Sequence, residues 1–337
     1  MSFGGLKKNA KKDTIVPEVQ KREVIINMNK LYEVPLAGRT YEFYGESKCG
    51  KTISAVSMGY MATEYIDELK EAGFKYIPYA LENKIISSID NIYLIDSEGF
   101  LKQAGWPLER KIIGELLKAG KLTHIPIGTP SKKETVLQNK ITLDQKSVDN
   151  VQLAVELYIK AIEDCTKMGS NNLIIVDSAS RLKWLLDSLA DIVYTVKVSS
   201  GAIMDNPKTM PMVKYGPRNA EWLRLMTLLK QTTANVVITY MMTNTSQWVV
   251  EMAIKKGWSV NARKKEYIEK GAEYNIDMSI EFAQDEESNK KYALQKTFRG
   301  INDEEPVPVY LMKGDKFSFL WVIENMLKEE IGDDIDE

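Results

Sequence analysis

The stretch TYEFYGESKCGKT, residues 40–52, constrains this chain more than any other. An apolar run of strand type, Tyr41 to Tyr44, empties into Gly45, and a helical pattern opens at Lys51. Between them stands the spacing G-x-x-x-x-G-K-T, spelled by Gly45, Glu46, Ser47, Lys48, Cys49, Gly50, Lys51 and Thr52. Glycines at both ends free the backbone to turn successive N–H groups inward, which makes a cradle for the phosphates of a nucleotide. Lys51 carries a charge that can reach the β- and γ-phosphate oxygens, and Thr52 places a hydroxyl where the Mg2+ of a bound ATP takes a ligand. A strand that feeds such a loop lies inside a sheet with its helix on one face, so an α/β fold is expected.

The rest of the chain repeats that alternation. NIYLIDSEG (91–99), KLTHIPI (121–127), NNLIIVDSAS (171–180) and NVVITYMMT (235–243) are short apolar runs of buried-strand type. Helical periods fill 52–73, 106–120, 147–169 and 220–234, with Pro107 in a first turn, and a closing helix runs through FLWVIENMLKEE, 319–330. Residues 181–216 read as mixed, with 199–212 irregular, and 128–142 as loop. YNIDMSIEFAQ (274–284), YALQKTFRG (292–300) and VPVYLM (307–312) are expected to be late antiparallel strands. The resulting expectation is a mostly parallel twisted sheet flanked by helices, as one core over residues 22–328. A flexible basic arm (1–21, with Lys7, Lys8, Lys11 and Lys12) precedes it and an acidic tail (329–337) follows it.

Composition narrows the function classes. With 44% hydrophobic and 27% charged residues the chain can bury a core, and no apolar stretch reaches the roughly 20 residues of a membrane span. No secretory leader pattern opens it, so a cytoplasmic protein without a membrane partner is expected. Two cysteines, Cys49 and Cys165, and one histidine, His124, leave no disulfide framework, zinc set or histidine catalysis to expect. A net charge of -2 means that any nucleic-acid contact must be local.

Two runs end in carboxylates. A nucleotide-bound Mg2+ needs an acid at the end of a neighbouring strand, and Asp177 after LIIV suits it. Glu98 closes a second run, on a strand expected to abut the phosphate loop, where its carboxylate can orient an attacking water. Asp96, nearer the strand, is the better structural hydrogen-bond acceptor.

Together these segments resemble the RecA/RadA recombinase family. GESKCGKT is similar to that family's phosphate loop, LIDSEGF to its segment bearing the catalytic glutamate, here Glu98, and LIIVDSAS to its Walker B strand, here Asp177. MNKLYEVPLAGRTYEFYGE resembles the family's lead-in, NVVITYMMT its sensor strand, and YNIDMSIEF with KTFRG its last sheet strands, about residues 22–312 in all. The chain looks like a core-only member, similar to phage or archaeal-virus annealing ATPases and RadA paralogues. The resemblance implies an ATP-hydrolysing, homo-oligomeric protein, ring or filament, that binds single-stranded DNA in recombination, strand annealing or repair. A hexameric helicase or packaging motor, and a slow nucleotide-switched binding module, are the alternatives.

It also implies roles further along the chain. A basic residue from the late sheet of one subunit is expected to reach the next subunit's γ-phosphate, and Lys296 or Arg299 resembles it, Arg299 by its fork. The segment after the sensor strand is expected to face DNA through Trp248, Lys255, Lys256, Trp258, Arg263, Lys264 and Lys265, cations for phosphates and rings for bases. Lys197, Lys208 and Lys214 form a sparser first segment. One departure stands out. Met241 occupies the place of the family's sensor glutamine and cannot make its hydrogen bond, which leaves Thr239 or Thr243 for polar contact.

Overall fold

The computed structural model describes residues 38–103, 107–128, 145–204, 210–244, 263–265, 276–284, 291–298, 308–310 and 319–332. The expected arm 1–21, residues 333–337 of the tail, Trp248, Lys255, Lys256, Trp258 and Arg299 lie outside them.

In chain order the sheet strands are β1 (Thr40–Gly45), β2 (Asn91–Asp96), β3 (Leu122–Pro126), β4 (Asn172–Asp177), β5 (Asn235–Asn244), β6 (Arg263–Lys265), β7 (Met278–Gln284), β8 (Lys291–Phe298) and β9 (Pro308–Tyr310). The helices are α1 (Lys51–Ser57), α2 (Ile66–Glu71), α3 (Tyr76–Glu82), α4 (Phe100–Gln103), α5 (Pro107–Lys118), α6 (Gln145–Cys165), α7 (Ala179–Ser199), α8 (Met210–Gln231) and α9 (Leu320–Ile331). The sheet order is β3-β2-β4-β5-β1-β7-β8-β9, with β6 paired to the end of β5. From β3 to β7 every pairing is parallel, and β8 and β9 continue it antiparallel.

The central strands β4 and β5 are mostly apolar because helices cover both faces of the sheet there. Along β4, Leu173 and Ile175 enter a core with α1, α2, α3, α5 and α9, while Ile174 and Val176 enter a second core with α6, α7 and α8. Phe43, Phe282 and Phe319 cluster in the first, their ring centroids 4.7 to 6.1 Å apart. Among the described residues no helix is long and apolar enough to cross a membrane.

The structure corrects several sequence expectations. The helical period of 52–73 is not one helix: α1 passes into a 3-10 turn at Met58–Tyr60, Ala62 is extended, and a second 3-10 turn leads into α2. Close packing explains it, since a Cβ on Gly59 would stand 2.4 Å from Cδ1 of Ile92 and Met61 O accepts the N–H of Ile89 at 2.7 Å. The stretch 181–216, read as mixed, is mostly helix. α7 runs 21 residues, and α8 begins at Met210 and passes through Pro217. Trp222, Leu225, Met226 and Leu229 bury α8 in the second core, and Lys214 and Arg218 pair with Asp191 and Asp187 of α7. That packing outweighs a local glycine–proline signal. The three late strands do pair antiparallel, β7 with β8 and β8 with β9, and β7 also joins them to the parallel part of the sheet through β1. Residues 329–331 belong to α9, where Glu330 accepts from Arg39 at 3.4 Å, so the closing acidic run does not start as a tail.

Candidate functional site

The phosphate loop leaves β1 at a position that only glycine fits. Gly45 pairs with Met241 of β5 on one side and Phe282 of β7 on the other, and a Cβ there would lie 2.1 Å from the Phe282 carbonyl oxygen. Its φ of 155°, with Lys48 at 65° and Gly50 at 101°, folds Glu46, Ser47, Lys48 and Cys49 back over the strand end and starts α1. Lys51 is buried, and its Nζ donates to the carbonyls of Gly45 at 3.1 Å and Glu46 at 2.7 Å, the mouth of the loop. The Cys49 thiol donates to Glu46 O at 2.9 Å.

Neither carboxylate strand abuts β1. β5 lies between β1 and β4, and both β4 and β5 lie between β1 and β2, contrary to the expected neighbour positions of Asp177 and Glu98. The site still closes, because α1 crosses the sheet: Thr52 Oγ1 donates to Asp177 Oδ2 at 3.1 Å. From β5, Thr239 Oγ1 donates to Asp177 Oδ1 at 2.6 Å. Asp177 and Asp96 stand opposite each other in the β2–β4 register, so Glu98 comes alongside. The Ser178 hydroxyl donates to Glu98 Oε1 and receives the N–H of Arg181 at 3.3 Å, so one side chain holds the glutamate and starts α7.

A buried network joins the two strand ends. Ser97 N donates to Asp177 O at 2.7 Å, Ser178 N donates to Ser97 Oγ at 3.1 Å, and Tyr158 of α6 donates to Ser178 O at 3.1 Å. Asp96 is engaged at both of its oxygens. Its Oδ1 accepts the N–H groups of Glu98 at 3.0 Å and Gly99 at 2.7 Å, and its Oδ2 lies 2.9 Å from His124 Nε2. The sequence showed Ser178 beside Asp177 but not its reach to Glu98. Tyr158 gave no signal at all, because it sits in the apolar stripe of α6.

Burial first, and then the Glu98 charge alongside, push the Asp177 carboxyl up to about 7, while the Thr239 and Thr52 hydroxyls and Asp96 act as smaller influences. A buried carboxylate with the Glu98 charge alongside is an environment that a cation relieves, its charge offsetting theirs. The Thr52 hydroxyl and Asp177 oxygens supply the oxygen donors Mg2+ prefers.

Met241, partly buried, stands level with Gly45, and its backbone N–H is taken by Ser180 Oγ at 3.0 Å. Beyond it, Met242 to Asn244 pair with Lys265 to Arg263, so the three basic positions lie on a strand anchored to the end of β5. Lys296 falls at the irregularity where β8 passes from Gln295 opposite Ile280 to Thr297 opposite Ser279. Phe282 pairs with both Gly45 and Ala293, so Lys296 lies three residues, roughly 10 Å at about 3.3 Å per residue, from the level of the loop and on the side away from it. The structure does not bring Lys296 to its own chain's phosphate loop.

No protein-family model and no curated protein matches the sequence. Among solved structures the chain is similar to the RadB recombinase, at 12% identity over 83% of this chain and 89% of that one, with a TM-score of 0.40. It is also similar to a KaiC-like protein from the hyperthermophilic archaeon Pyrococcus horikoshii OT3, at 13% identity over 83% and 87%, with a TM-score of 0.35. At these values the two structures decide neither the activity nor the partners of this chain, which rest on the site itself.

Proposed function

We propose that the chain is a Mg2+-dependent ATPase of the RecA type that binds single-stranded DNA and works as a homo-oligomer in recombination, strand annealing or repair, in the cytoplasm. The meeting of Thr52 and Asp177 at 3.1 Å, with Glu98 tied to Ser178 beside them, is the observation that carries it. Sequence motifs far apart in the chain converge at the mouth of a phosphate loop. That convergence suits phosphoryl transfer to water.

In this reading the loop N–H groups and Lys51 hold the β- and γ-phosphates, and the Lys51 charge grows in effect as negative charge builds on the departing oxygen. Thr52 and Asp177 would hold Mg2+, which would supply positive charge to the β- and γ-phosphates. Glu98 orients a water in line with the γ-phosphorus and draws its proton, and Ser178 keeps that carboxylate aimed. Arg299 or Lys296 would complete the site from a neighbouring copy, a role that the distance of Lys296 from its own loop favours. The basic positions of β6 pair with the end of β5, the strand whose Met241 stands level with Gly45, which supports a DNA-binding role for this segment near the nucleotide.

Phosphate release should be Mg2+-dependent in the wild type and fall at least about 100-fold in Lys51→Ala, since one positioned electrostatic group is worth about that much. Turnover surviving intact in Lys51→Ala overturns the assignment. Single-stranded DNA should raise turnover, and no response at any salt concentration removes DNA from the reading. Met241 favours a second reading, a nucleotide-switched binding module with slow hydrolysis, which nucleotide-dependent assembly with negligible turnover would support. A helicase or packaging motor instead requires directional unwinding of a forked duplex.

A further inference from the structure

His124 is the chain's only histidine, and the phosphate-loop chemistry has no use for one. It stands on β3 opposite Leu94, two residues short of the Asp96–Pro126 pairing, and on the same face of its strand as Pro126. From there its ring reaches forward to Asp96, whose side chain is 1% exposed while that of His124 is 25% exposed. The histidine is thus the outer end of a short chain of contacts that runs inward.

The inner end is the catalytic turn. Nε2–H of His124 engages Asp96 Oδ2 at 2.9 Å, which fixes the plane of the carboxylate. Its other oxygen then faces the N–H groups of Glu98 and Gly99, at 3.0 and 2.7 Å. Those two bonds set the direction in which Glu98 leaves the strand, and Gly99, at φ 76°, closes the turn. The Glu98 carboxylate is held at its far end by Ser178, so its base and its tip are both fixed. A histidine whose work was only to fill space on an edge strand would not need to meet the one carboxylate that organises this turn.

We propose that His124, acting through Asp96, is a positioning residue for Glu98. The inference rests on the ATPase reading above. Without the imidazole donor, Asp96 keeps its two backbone partners but its carboxylate can rotate, and Glu98 samples directions that do not aim a water at the γ-phosphorus. Binding of nucleotide, which depends on the loop and Lys51, is untouched. Misplacement of a catalytic group by a fraction of an ångström to one ångström lowers turnover by up to about 100-fold.

The test compares wild type, His124→Phe, His124→Ala and His124→Gln by steady-state phosphate release and by equilibrium binding of a fluorescent ATP analogue, with thermal unfolding as a control for folding. The two variants lacking a donor should lose about 3- to 30-fold in kcat with KM and analogue affinity within about twofold of wild type. His124→Gln, whose amide N–H can take the place of Nε2–H, should recover most of the loss. Unchanged kcat in folded His124→Phe or His124→Ala, or equal losses in kcat and nucleotide affinity, or no rescue by glutamine, overturns the role. If those variants behave as wild type while Lys51→Ala is inactive, the ATPase reading stands and only the histidine's role falls. Absence of turnover in the wild type overturns both.

Discussion

Thr239 and Asp177 come from different strands and are joined by a hydrogen bond of 2.6 Å, from the threonine hydroxyl to Oδ1. Thr52 takes the other oxygen, so the carboxylate is held from β5 and from α1 at once. Thr239→Val keeps the shape and removes one of those donors. The hydroxyl holds the Asp177 carboxyl down against burial and Glu98, so its loss should raise that group further above about 7. ATP turnover should fall about 10-fold at neutral pH and recover partly in alkaline buffer; a pH–rate profile identical to wild type would show that Thr239 does not tune Asp177.

The same carboxyl links pH to stability. In the unfolded chain an aspartate loses its proton near 4, whereas the folded protein keeps it on Asp177 up to about 7. Between those values the folded state binds the extra proton, so its stability falls as pH rises through the window and levels off above it. The loss should be on the order of 2 to 4 kcal/mol in metal-free protein. Mg2+ with nucleotide favours the charged form, so it should raise the unfolding temperature more at pH 8 than at pH 5.5. Thermal melts with chelator and with Mg2+–nucleotide across this range measure it, and a pH-independent increment contradicts the placement of the metal at Asp177.

Glu324 of α9 is buried and accepts the N–H groups of Lys75, Tyr76 and Ile77, the last two at 2.9 Å. It caps α3 from nearly the other end of the chain and ties the closing helix to the first core. Glu324→Leu should cost about 2 to 4 kcal/mol, because buried donors lose a charged acceptor. Denaturant unfolding reads the loss, and a value under about 0.5 kcal/mol would show that the cap is dispensable.

A shared site makes a further prediction by mixing. Lys51→Ala and Arg299→Ala should each be inactive alone, since a finger supplied in trans contributes about 10³- to 10⁵-fold. Mixed in equal amounts, they should recover about a quarter of wild-type turnover, because half the intact loops meet a subunit with an intact finger and only half the loops are intact. Recovery of nothing at concentrations where the protein assembles would place the finger elsewhere.

The phosphate loop, the strands that bear Asp177 and Glu98, and the helices that separate them were legible because glycine spacing and uninterrupted apolar runs are local signals. The same locality explains the failures. A helical period continued through 52–73, yet the chain turns at Met58–Tyr60, where Gly59 packs close to Ile92, and residues 199–212 read as irregular although α8 begins at Met210 and is buried in its core. Neither the glycine's neighbour nor the helix's packing surface is written near it in sequence.

What the sequence determined by itself was the chemistry available: a cradle, a lysine, a threonine and two acids at strand ends. Which strands adjoin was settled only by tertiary structure. β5 separates β1 from β4, so Asp177 meets the loop through Thr52 of α1 and Thr239 of β5 rather than as a neighbour on the next strand. The physical reason is that apolar periodicity fixes which face a residue takes, while strand order depends on how helices of given length cross the sheet and bury both faces together. The partners of Glu98, a serine two strands' sequence away and an aspartate braced by a lone histidine, belong to that second kind of information.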